Sequence, residues 1–361
     1  MSKDNPEAFE TFEFDLPPIR GFPELRWAGK RPFKSTQYFP AQKKESYGDP
    51  TDGWWNRIYW GDNLQVMSHL LREFRGKVDL VYLDPPFSSN ADYKKKIKIL
   101  SSNIESDSQA FEEKQYKDIW SNDEYNQFIF ERLAVCRELL SDSGLFYVHC
   151  DFHKSHHVRC IMDEVFGPER FVNEIVWKRT SARSDSSTFN HIHDVIFIYS
   201  KSDSYYFNQI YIPHEQSYID KYYSYREADG RRFATIDATQ AGLRNGLSGQ
   251  DWRGFSPSSK GNHWKFATPE LDRLDDEGRI YWPQKEDGWP RLKSYLDELK
   301  GAAIQSIWTD IKAVNSQAAE RVDYPTQKPT ALLQRVIESS CPPGGSFSIA
   351  LWAQGRPRPL P

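Results

Sequence analysis

The sequence predicts an α/β fold built on a mostly parallel, doubly wound sheet. Short apolar segments alternate with amphipathic helical segments between about residues 57 and 200. One apolar segment, 80–83, has no polar face, which is typical of a strand covered by helices on both sides. It stops at the sequence Asp-Pro-Pro-Phe, where two prolines must end the strand's hydrogen bonding. The alternation and the two-sided strand together indicate a sheet between layers of helices.

The first elements predict that the central strands run parallel. A short strand is expected at 58–60, followed by a helix through about residue 75 that Asp62 or Asn63 caps. A second strand is expected at 78–83. Strand, helix and strand in this order form a parallel pair joined by a crossover.

The remaining elements follow from the spacing of the apolar residues. Residues 88–120 are polar and predict a loop, whereas helical periodicity fades over 201–300 and predicts an irregular insertion. The other predicted elements are a helix at 123–140, a strand at 145–148, a helix at 154–166, two strands at 171–177 and 194–199 that pair as a hairpin, and a helix from Pro329 to about residue 340. The predicted organisation is an irregular arm at 1–56, a core at 57–200, the insertion at 201–300, a return to the core at 301–345 and an atypical tail at 346–361.

The composition is that of a folded, soluble protein. Hydrophobic residues make up 38% and charged residues 27% of the 361 residues, which excludes a disordered chain. The formal net charge of −4 gives no overall signal for nucleic-acid binding, so such binding would need a local basic surface. The four cysteines show no metal-binding spacing and suit reduced thiols in the cytoplasm. We expect no signal peptide and no membrane-spanning segment.

The sharp end of the strand at 78–83 is the strongest functional signal. Ligands of open α/β sheets bind at the carboxyl ends of strands, so Asp84 lies where chemistry is expected. Pro85 and Pro86 stiffen the backbone there, and Phe87 offers an aromatic face for a flat ring.

These residues resemble the Asp-Pro-Pro-Phe motif of methyltransferases that modify amino groups of DNA bases. A second motif, Tyr-Pro-Thr-Gln-Lys-Pro at 324–329, follows the insertion. The sequence Trp-Thr-Asp-Ile at 308–311 lies between the insertion and this motif. Two motifs in this order are similar to the β-class adenine-N6 DNA methyltransferases, including the modification subunits of type III restriction systems. The resemblance covers roughly residues 55–340.

The resemblance implies a fold, a reaction and a set of site residues. The fold would be the Rossmann-like fold of S-adenosylmethionine-dependent methyltransferases, with target recognition in the insertion at 201–300. The reaction would transfer a methyl group from S-adenosylmethionine to the N6 amine of an adenine flipped out of double-stranded DNA. The implied catalytic residues are Asp84 and the Pro85 carbonyl, which accept hydrogen bonds from the amine, Pro86 in the rigid turn, and Phe87, which stacks on the base; the implied cofactor residues are Asp62, Asn63, Thr326, Gln327 and Lys328.

The C-terminal sequence departs from the family pattern. Members continue with a strand and a Gly-rich turn that approaches the cofactor, whereas here the chain reads Cys-Pro-Pro-Gly-Gly at 341–345 without that turn. Residues 346–353 alternate apolar and small residues and could pair with strand 78–83 as a substitute. We therefore expect a sheet that is incomplete at the C-terminus, and a chain that binds S-adenosylmethionine weakly or not at all.

Several alternatives remain open at this point. The chain could be a DNA-binding remnant without catalytic activity, or a cytosine-N4 methyltransferase, although Asp84 favours adenine. A protein glutamine methyltransferase would leave the 324–329 motif without explanation. A metal site at His149, His153, His156 and His157 is not expected, because no cysteine or acid completes a tetrahedral set. Possible partners are a second copy of the chain or a restriction subunit.

Overall fold

The computed structural model describes residues 11–13, 24–51, 53–86, 92–97, 111–117, 122–181, 187–285, 288–315, 317–322 and 326–351; for 92–97, 111–117 and 348–351 it describes the backbone. The chain divides into two compact units. Unit 1 comprises residues 1–210 and 305–361, and unit 2 comprises residues 211–304. The predicted insertion at 201–300 and unit 2 share residues 211–300.

The first part of unit 1 alternates strands and helices. Its elements are β1 (Thr11–Glu13), β2 (Ser35–Gln37), α1 (Asn63–Phe74), β3 (Val78–Asp84), β4 (Asp92–Ile97), β5 (Phe111–Lys117), α2 (Asn122–Leu139), β6 (Leu140–Cys150), α3 (Ser155–Phe166), a short 3-10 helix (Pro168–Arg170), β7 (Phe171–Lys178) and β8 (His193–Ser200).

Unit 2 consists of short strands and two α-helices. Its elements are β9 (Tyr211–Ile212), α4 (Gln216–Tyr222), β10 (Tyr225–Arg226), β11 (Arg232–Asp237), β12 (Thr239–Ala241), β13 (Asn262–Trp264), α5 (Thr268–Asp276), β14 (Ile280–Tyr281), β15 (Arg291–Tyr295) and β16 (Ala302–Ala303), with 3-10 turns at Leu247–Gly249, Pro257–Lys260 and Leu296–Glu298. The chain then returns to unit 1 with β17 (Ile307–Trp308), α6 (Thr330–Ser340) and β18 (Phe347–Leu351).

The core of unit 1 is a six-stranded sheet with the order β17-β7-β8-β6-β3-β18. The pairs β17–β7, β6–β3 and β3–β18 are parallel, and β8 is antiparallel to both of its neighbours. Five strands therefore run in one direction and β8 in the other, which confirms the mostly parallel sheet. The expected hairpin of the 171–177 and 194–199 segments is also confirmed, as β7 and β8.

Helices cover the sheet on both faces. Val81 and Leu83 of β3 belong to a core that includes Leu71 of α1, Leu133 of α2 and Ile161 of α3. Successive residues of a strand point to opposite faces, so Tyr82 and Asp84 lie on the other face. That face carries α6, because the Tyr147 hydroxyl of β6 bonds to Ser340 Oγ at 2.6 Å. The sheet is thus doubly wound, as the sequence predicts.

The predicted substitute strand forms and completes one side of β3. Phe347 to Leu351 pair in parallel with Leu80 to Asp84, so β3 has β6 on one side and β18 on the other. Asp79 supports this edge, because its Oδ2 accepts a hydrogen bond from Ser346 N at 2.8 Å.

The strand predicted at 58–60 is wrong. Residues 55–60 have no strand assignment, and Ile58 and Trp60 are 95% and 60% exposed. β18 is the outer strand on its side of the described sheet, and no described strand of that sheet pairs with residues 58–60. Apolar content alone does not make a strand, because a strand also needs partners for its backbone hydrogen bonds.

The predicted loop at 88–120 contains an antiparallel hairpin of β4 and β5, in which Lys95 is opposite Glu113 and Lys96 is opposite Glu112. Its residues are mostly polar, so the hydrophobic pattern gives little strand signal. The strand predicted at 145–148 begins earlier than expected, because β6 starts at Leu140 and includes Ser143 and Gly144. A register shift between Val78 and Leu80 accommodates the extra residues.

Unit 2 has more regular structure than the sequence indicates. Four of its strands form an antiparallel sheet in the order β10-β11-β15-β14. A separate core contains the buried side chains Trp252, Trp264, Leu271, Ile280 and Leu292. The elements are short and interrupted by glycine turns, so neither helical nor strand periodicity runs long enough to be recognised.

Candidate functional site

The end of β3 brings together two residues that the sequence places in different motifs. Lys328 Nζ donates hydrogen bonds to Asp84 Oδ1 at 2.8 Å and to Asp84 Oδ2 at 2.6 Å. The two side chains are 7% and 9% exposed, so the ion pair is buried. Pro85 and Pro86 follow Asp84 and are buried as well. The geometry therefore joins an expected catalytic residue directly to an expected cofactor residue.

Three buried polar side chains form a row across the sheet beside this pair. The Tyr82 hydroxyl lies 2.6 Å from His149 Nδ1, and His149 Nε2 lies 3.1 Å from Asp194 Oδ2. These residues belong to β3, β6 and β8, which are adjacent in the sheet. Burial first, and then the charges of Asp84 and Asp194, raise the pKa of Tyr82, so its hydroxyl stays protonated at neutral pH.

Asp194 is the charged end of this row. Burial opposes its ionisation, but the hydrogen bond and charge of His149, together with the charges of Arg179 and Lys328, lower the pKa of Asp194 below its usual value. Arg179 Nε lies 3.6 Å from Asp194 Oδ1. The lowered pKa keeps Asp194 ionised at neutral pH, so the edge of the sheet holds two buried carboxylates near one buried lysine.

Aromatic side chains lie at the same edge, where β6 ends and β8 begins. Phe152 and His191 stack face to face, with ring centroids 3.6 Å apart and an interplanar angle of 4°. Asp151 orients the neighbouring His153, whose Nδ1 lies 2.6 Å from Asp151 Oδ2. Burial raises the pKa of Asp151, although the hydrogen bond to His153 lowers it in part.

The expected cofactor residues Asp62 and Asn63 lie at the start of α1. Asp62 is the N-cap, and its Oδ1 accepts hydrogen bonds from Leu64 N and Gln65 N. Arg132 of α2 bonds to both residues, to Asp62 Oδ2 at 3.2 Å and to Asn63 Oδ1 at 2.7 Å. Asn63 Nδ2 is buried and has no hydrogen-bond partner in the described part of the chain.

Gln327 and Thr326 shape the loop that carries Lys328. Gln327 Oε1 accepts a hydrogen bond from Val322 N at 2.9 Å, and Gln327 Nε2 donates one to Glu320 O at 2.6 Å. The Thr326 carbonyl accepts a hydrogen bond from Lys328 Nζ at 3.3 Å. Both residues thus support the position of Lys328 through backbone groups of the loop.

Some of the predicted site lies outside the described residues. This applies to Phe87 and to Tyr324 and Pro325 of the second motif. Tyr82, His149 and Asp194 are not among the site residues predicted from the sequence. Their signal was weak: each is a polar residue within or beside an apolar run, a pattern that burial alone can explain.

Two negative findings concern metals and membranes. The described residues contain no group of three or more His, Cys, Asp or Glu side chains arranged to hold a metal ion. None of the described helices is both long enough and apolar enough to cross a bilayer.

Comparison with known proteins gives a family model and several relatives. A family model described as DNA methylase matches residues 78–347. The chain is 30% identical over 290 residues to the type II methyltransferase M.EcaI of Enterobacter cloacae, covering 80% of this chain and 60% of the relative. It is 25% identical over 306 residues to the StyLTI Mod subunit, a type III restriction-modification enzyme of Salmonella typhimurium, covering 78% of this chain and 46% of the relative.

Solved structures give a more distant similarity. The PvuII DNA methyltransferase (cytosine-N4-specific) aligns over 42% of this chain and 50% of its own, with a TM-score of 0.28 and 17% sequence identity. The chain spans about half to three fifths of the length of the two relatives above.

Proposed function

The chain belongs to the DNA methylase family, and from that premise we propose that it transfers a methyl group from S-adenosylmethionine to the N6 amine of adenine in DNA. The observation that carries the proposal is the position of Asp84. Its carboxylate lies at the carboxyl end of a central parallel strand, in a rigid Asp-Pro-Pro turn, beside Lys328 of the second motif. Ligands bind at this edge in open α/β sheets.

The chemistry that Asp84 would perform is activation of the amine. The lone pair of an adenine amine is delocalised into the ring, which makes the nitrogen a poor nucleophile. Hydrogen bonds from the amine to the Asp84 carboxylate and the Pro85 carbonyl favour a pyramidal nitrogen with a localised lone pair. Because these acceptors are held by a buried strand end, they need no reorganisation when the base arrives.

The Lys328–Asp84 ion pair sets a condition on this step. Lys328 Nζ already occupies both carboxylate oxygens. An amine that donates to Asp84 must therefore share these oxygens with Lys328, which their second lone pairs allow, or replace Lys328 at one of them. Hydrogen bonds to a carboxylate are stronger than hydrogen bonds to a neutral acceptor, which favours Asp84 as the partner of the amine.

The described residues offer S-adenosylmethionine a partial fit. Asn63 Nδ2 is a buried donor without a partner in the described chain, and Lys328 is a cation suited to a carboxylate. Asp62 and Gln327 are already engaged in a helix cap and a loop. We propose that Asn63 and Lys328 hold the cofactor, which supplies an electrophilic methyl group when bound.

The wider assignment rests on the relatives. Type III Mod subunits are among them, so we propose that this chain modifies DNA in a restriction-modification system in the cytoplasm, with unit 2 in target recognition. A restriction subunit or a second copy of the chain would be its protein partner, and double-stranded DNA its substrate. The alternative functions are a cytosine-N4 methyltransferase and a DNA-binding remnant that no longer binds cofactor.

Replacement of Asp84 tests the proposal. The wild-type chain and the Asp84→Ala variant are incubated with tritiated S-adenosylmethionine and unmethylated genomic DNA. We expect labelled N6-methyladenine with the wild type, at least a hundredfold less with the variant, and nearly unchanged DNA binding. N4-methylcytosine as the product would select the cytosine alternative. DNA binding without transfer and without cofactor affinity in calorimetry would select the remnant.

A further inference from the structure

The stacked rings of Phe152 and His191 have no evident role in holding the fold together. Phe152 is 39% exposed, and His191 and His153 are exposed as well. Exposed aromatic rings gain little from hydrophobic burial, because water still contacts much of their surface. The His153 ring also lies against Phe152, with ring centroids 3.8 Å apart and an interplanar angle of 31°, so Phe152, His153 and His191 form one ordered aromatic cluster at the solvent boundary of the protein.

The position of the rings relates them to the site. Phe152 follows the end of β6 and His191 precedes the start of β8, and Cys150 of β6 pairs with Val195 of β8. β6 is the neighbour of β3, so the rings lie at the same edge of the sheet as Asp84.

Both rings are attached to ordered backbone. Asp151 accepts hydrogen bonds from His153 N at 3.0 Å and from the His153 ring at 2.6 Å, which fixes the turn on both sides of Phe152. Arg179 N and Thr180 N donate to Ile192 O at 2.9 and 3.1 Å, next to His191. A preorganised aromatic surface loses little side-chain entropy when a flat ligand stacks on it.

We propose that Phe152 and His191 form a stacking site for a planar nucleobase that has left the DNA duplex. The inference rests on the proposed function, since a base that reacts at Asp84 must first be unstacked. Such a base loses its neighbours in the helix, and an aromatic face at the same edge of the sheet replaces them. Stacking tolerates any base because every base has a π face.

The test uses the full chain and two duplexes of identical sequence. One contains 2-aminopurine paired with thymine, and the other contains 2-aminopurine opposite an abasic site, where the base swings out readily. Fluorescence anisotropy gives the affinity for each duplex, and 2-aminopurine fluorescence reports stacking. The variants are Phe152→Ala, His191→Ala, His191→Phe and the control Phe39→Ala, whose ring is 37% exposed in the same unit.

We expect the wild type and Phe39→Ala to prefer the abasic duplex about tenfold and to quench its fluorescence. Phe152→Ala should lose that preference and the quenching, with less than a twofold change in affinity for the paired duplex. His191→Ala should weaken the preference, and His191→Phe should restore it, because a phenyl ring can keep the stack.

Three results would overturn the inference. The preference and the quenching could survive Phe152→Ala, or the wild type could bind both duplexes equally. Phe152→Ala could also lose affinity for S-adenosylmethionine while keeping the duplex preference, which would assign the rings to the cofactor's adenine. Failure of the proposed function gives a different result, because it is the absence of labelled N6-methyladenine in the transfer assay, whereas the duplex measurements need no methyl transfer.

Discussion

The ion pair between Lys328 and Asp84 joins two buried charged side chains of the candidate site. Lys328→Met leaves the Asp84 carboxylate buried without its counter-charge, so we expect the free energy of unfolding to fall by about 3 kcal/mol. The double variant Asp84→Asn, Lys328→Met removes both charges and should recover a large part of that loss. Urea denaturation at pH 7 measures all three proteins.

A surface pair provides the matched control for this experiment. Arg57 and Glu73 form an ion pair with side chains 40% and 53% exposed. Glu73→Gln should therefore lower the free energy of unfolding by less than about 1 kcal/mol. Equal losses for Glu73→Gln and Lys328→Met would contradict the claim that the site pair is buried and tightly coupled.

The ionisation of Asp194 is expected to make the free energy of unfolding depend on pH. The pKa of Asp194 is lower in the folded chain than in the unfolded chain, so the ionised form stabilises the fold above about pH 4. This stabilisation is lost as the pH falls through the folded pKa. Asp194→Asn should be less stable than the wild type at pH 7 and should lose less stability between pH 5 and pH 3.

Denaturant titrations at a series of pH values check this prediction. Asp203→Asn is the control, because Asp203 is 94% exposed although it pairs with Arg170. An acid slope that is the same in Asp194→Asn and in the wild type would mean that the carboxylate does not titrate with folding.

At the scale of single elements, variants of the α1 cap separate two roles of Asp62, which are helix capping and cofactor binding. Asp62→Ala removes the acceptor for Leu64 N and Gln65 N and should lower the free energy of unfolding by about 1 kcal/mol. Asp62→Asn should keep most of that stability, since asparagine caps helices well. Urea denaturation and cofactor calorimetry on both variants measure the two roles separately.

The outcomes of this experiment are distinct. A purely structural Asp62 predicts that Asp62→Asn keeps both stability and cofactor affinity. A stable Asp62→Asn variant with lost cofactor affinity would assign the carboxylate to the cofactor as well.

Helices can be predicted from local sequence, because the spacing of apolar residues that defines a helix lies within the helix itself. α1, α2 and α3 carry apolar residues at helical spacing, and Asp62 is a recognisable cap, so all four are predicted nearly as they are observed. The segment 58–60 and the hairpin of β4 and β5 are not, because strand formation depends on a partner that local sequence does not reveal.

The candidate site is predicted only in part for the same reason. Asp84 and Lys328 could be singled out from their motifs, but their direct contact joins residues separated by 244 positions. The row of Tyr82, His149 and Asp194 likewise combines three strands. A polar residue in an apolar run gives no indication of which strand will supply its partner.

At the scale of the whole molecule, the division into two units predicts that unit 2 folds without the rest of the chain. Unit 2 has its own buried core around Trp252 and Trp264 and its own antiparallel sheet. We expect residues 211–304, expressed alone, to unfold cooperatively in urea and to give dispersed amide resonances. Trp264→Ala should abolish cooperative unfolding by removing a fully buried side chain from a small core. A wild-type fragment without cooperativity would show that unit 2 depends on the rest of the chain.

The parallel pairing of β3 with β18 has a consequence for biosynthesis. During translation, β3 emerges early, but its neighbour β18 and the counter-ion of Asp84 follow only after unit 2 has been made. At about 5 to 20 residues per second, the 244 positions between Asp84 and Lys328 correspond to roughly 12 to 50 seconds on the ribosome. During that time the edge of β3 that later pairs with β18 has no partner on the nascent chain, and Asp84 has no ion pair with Lys328.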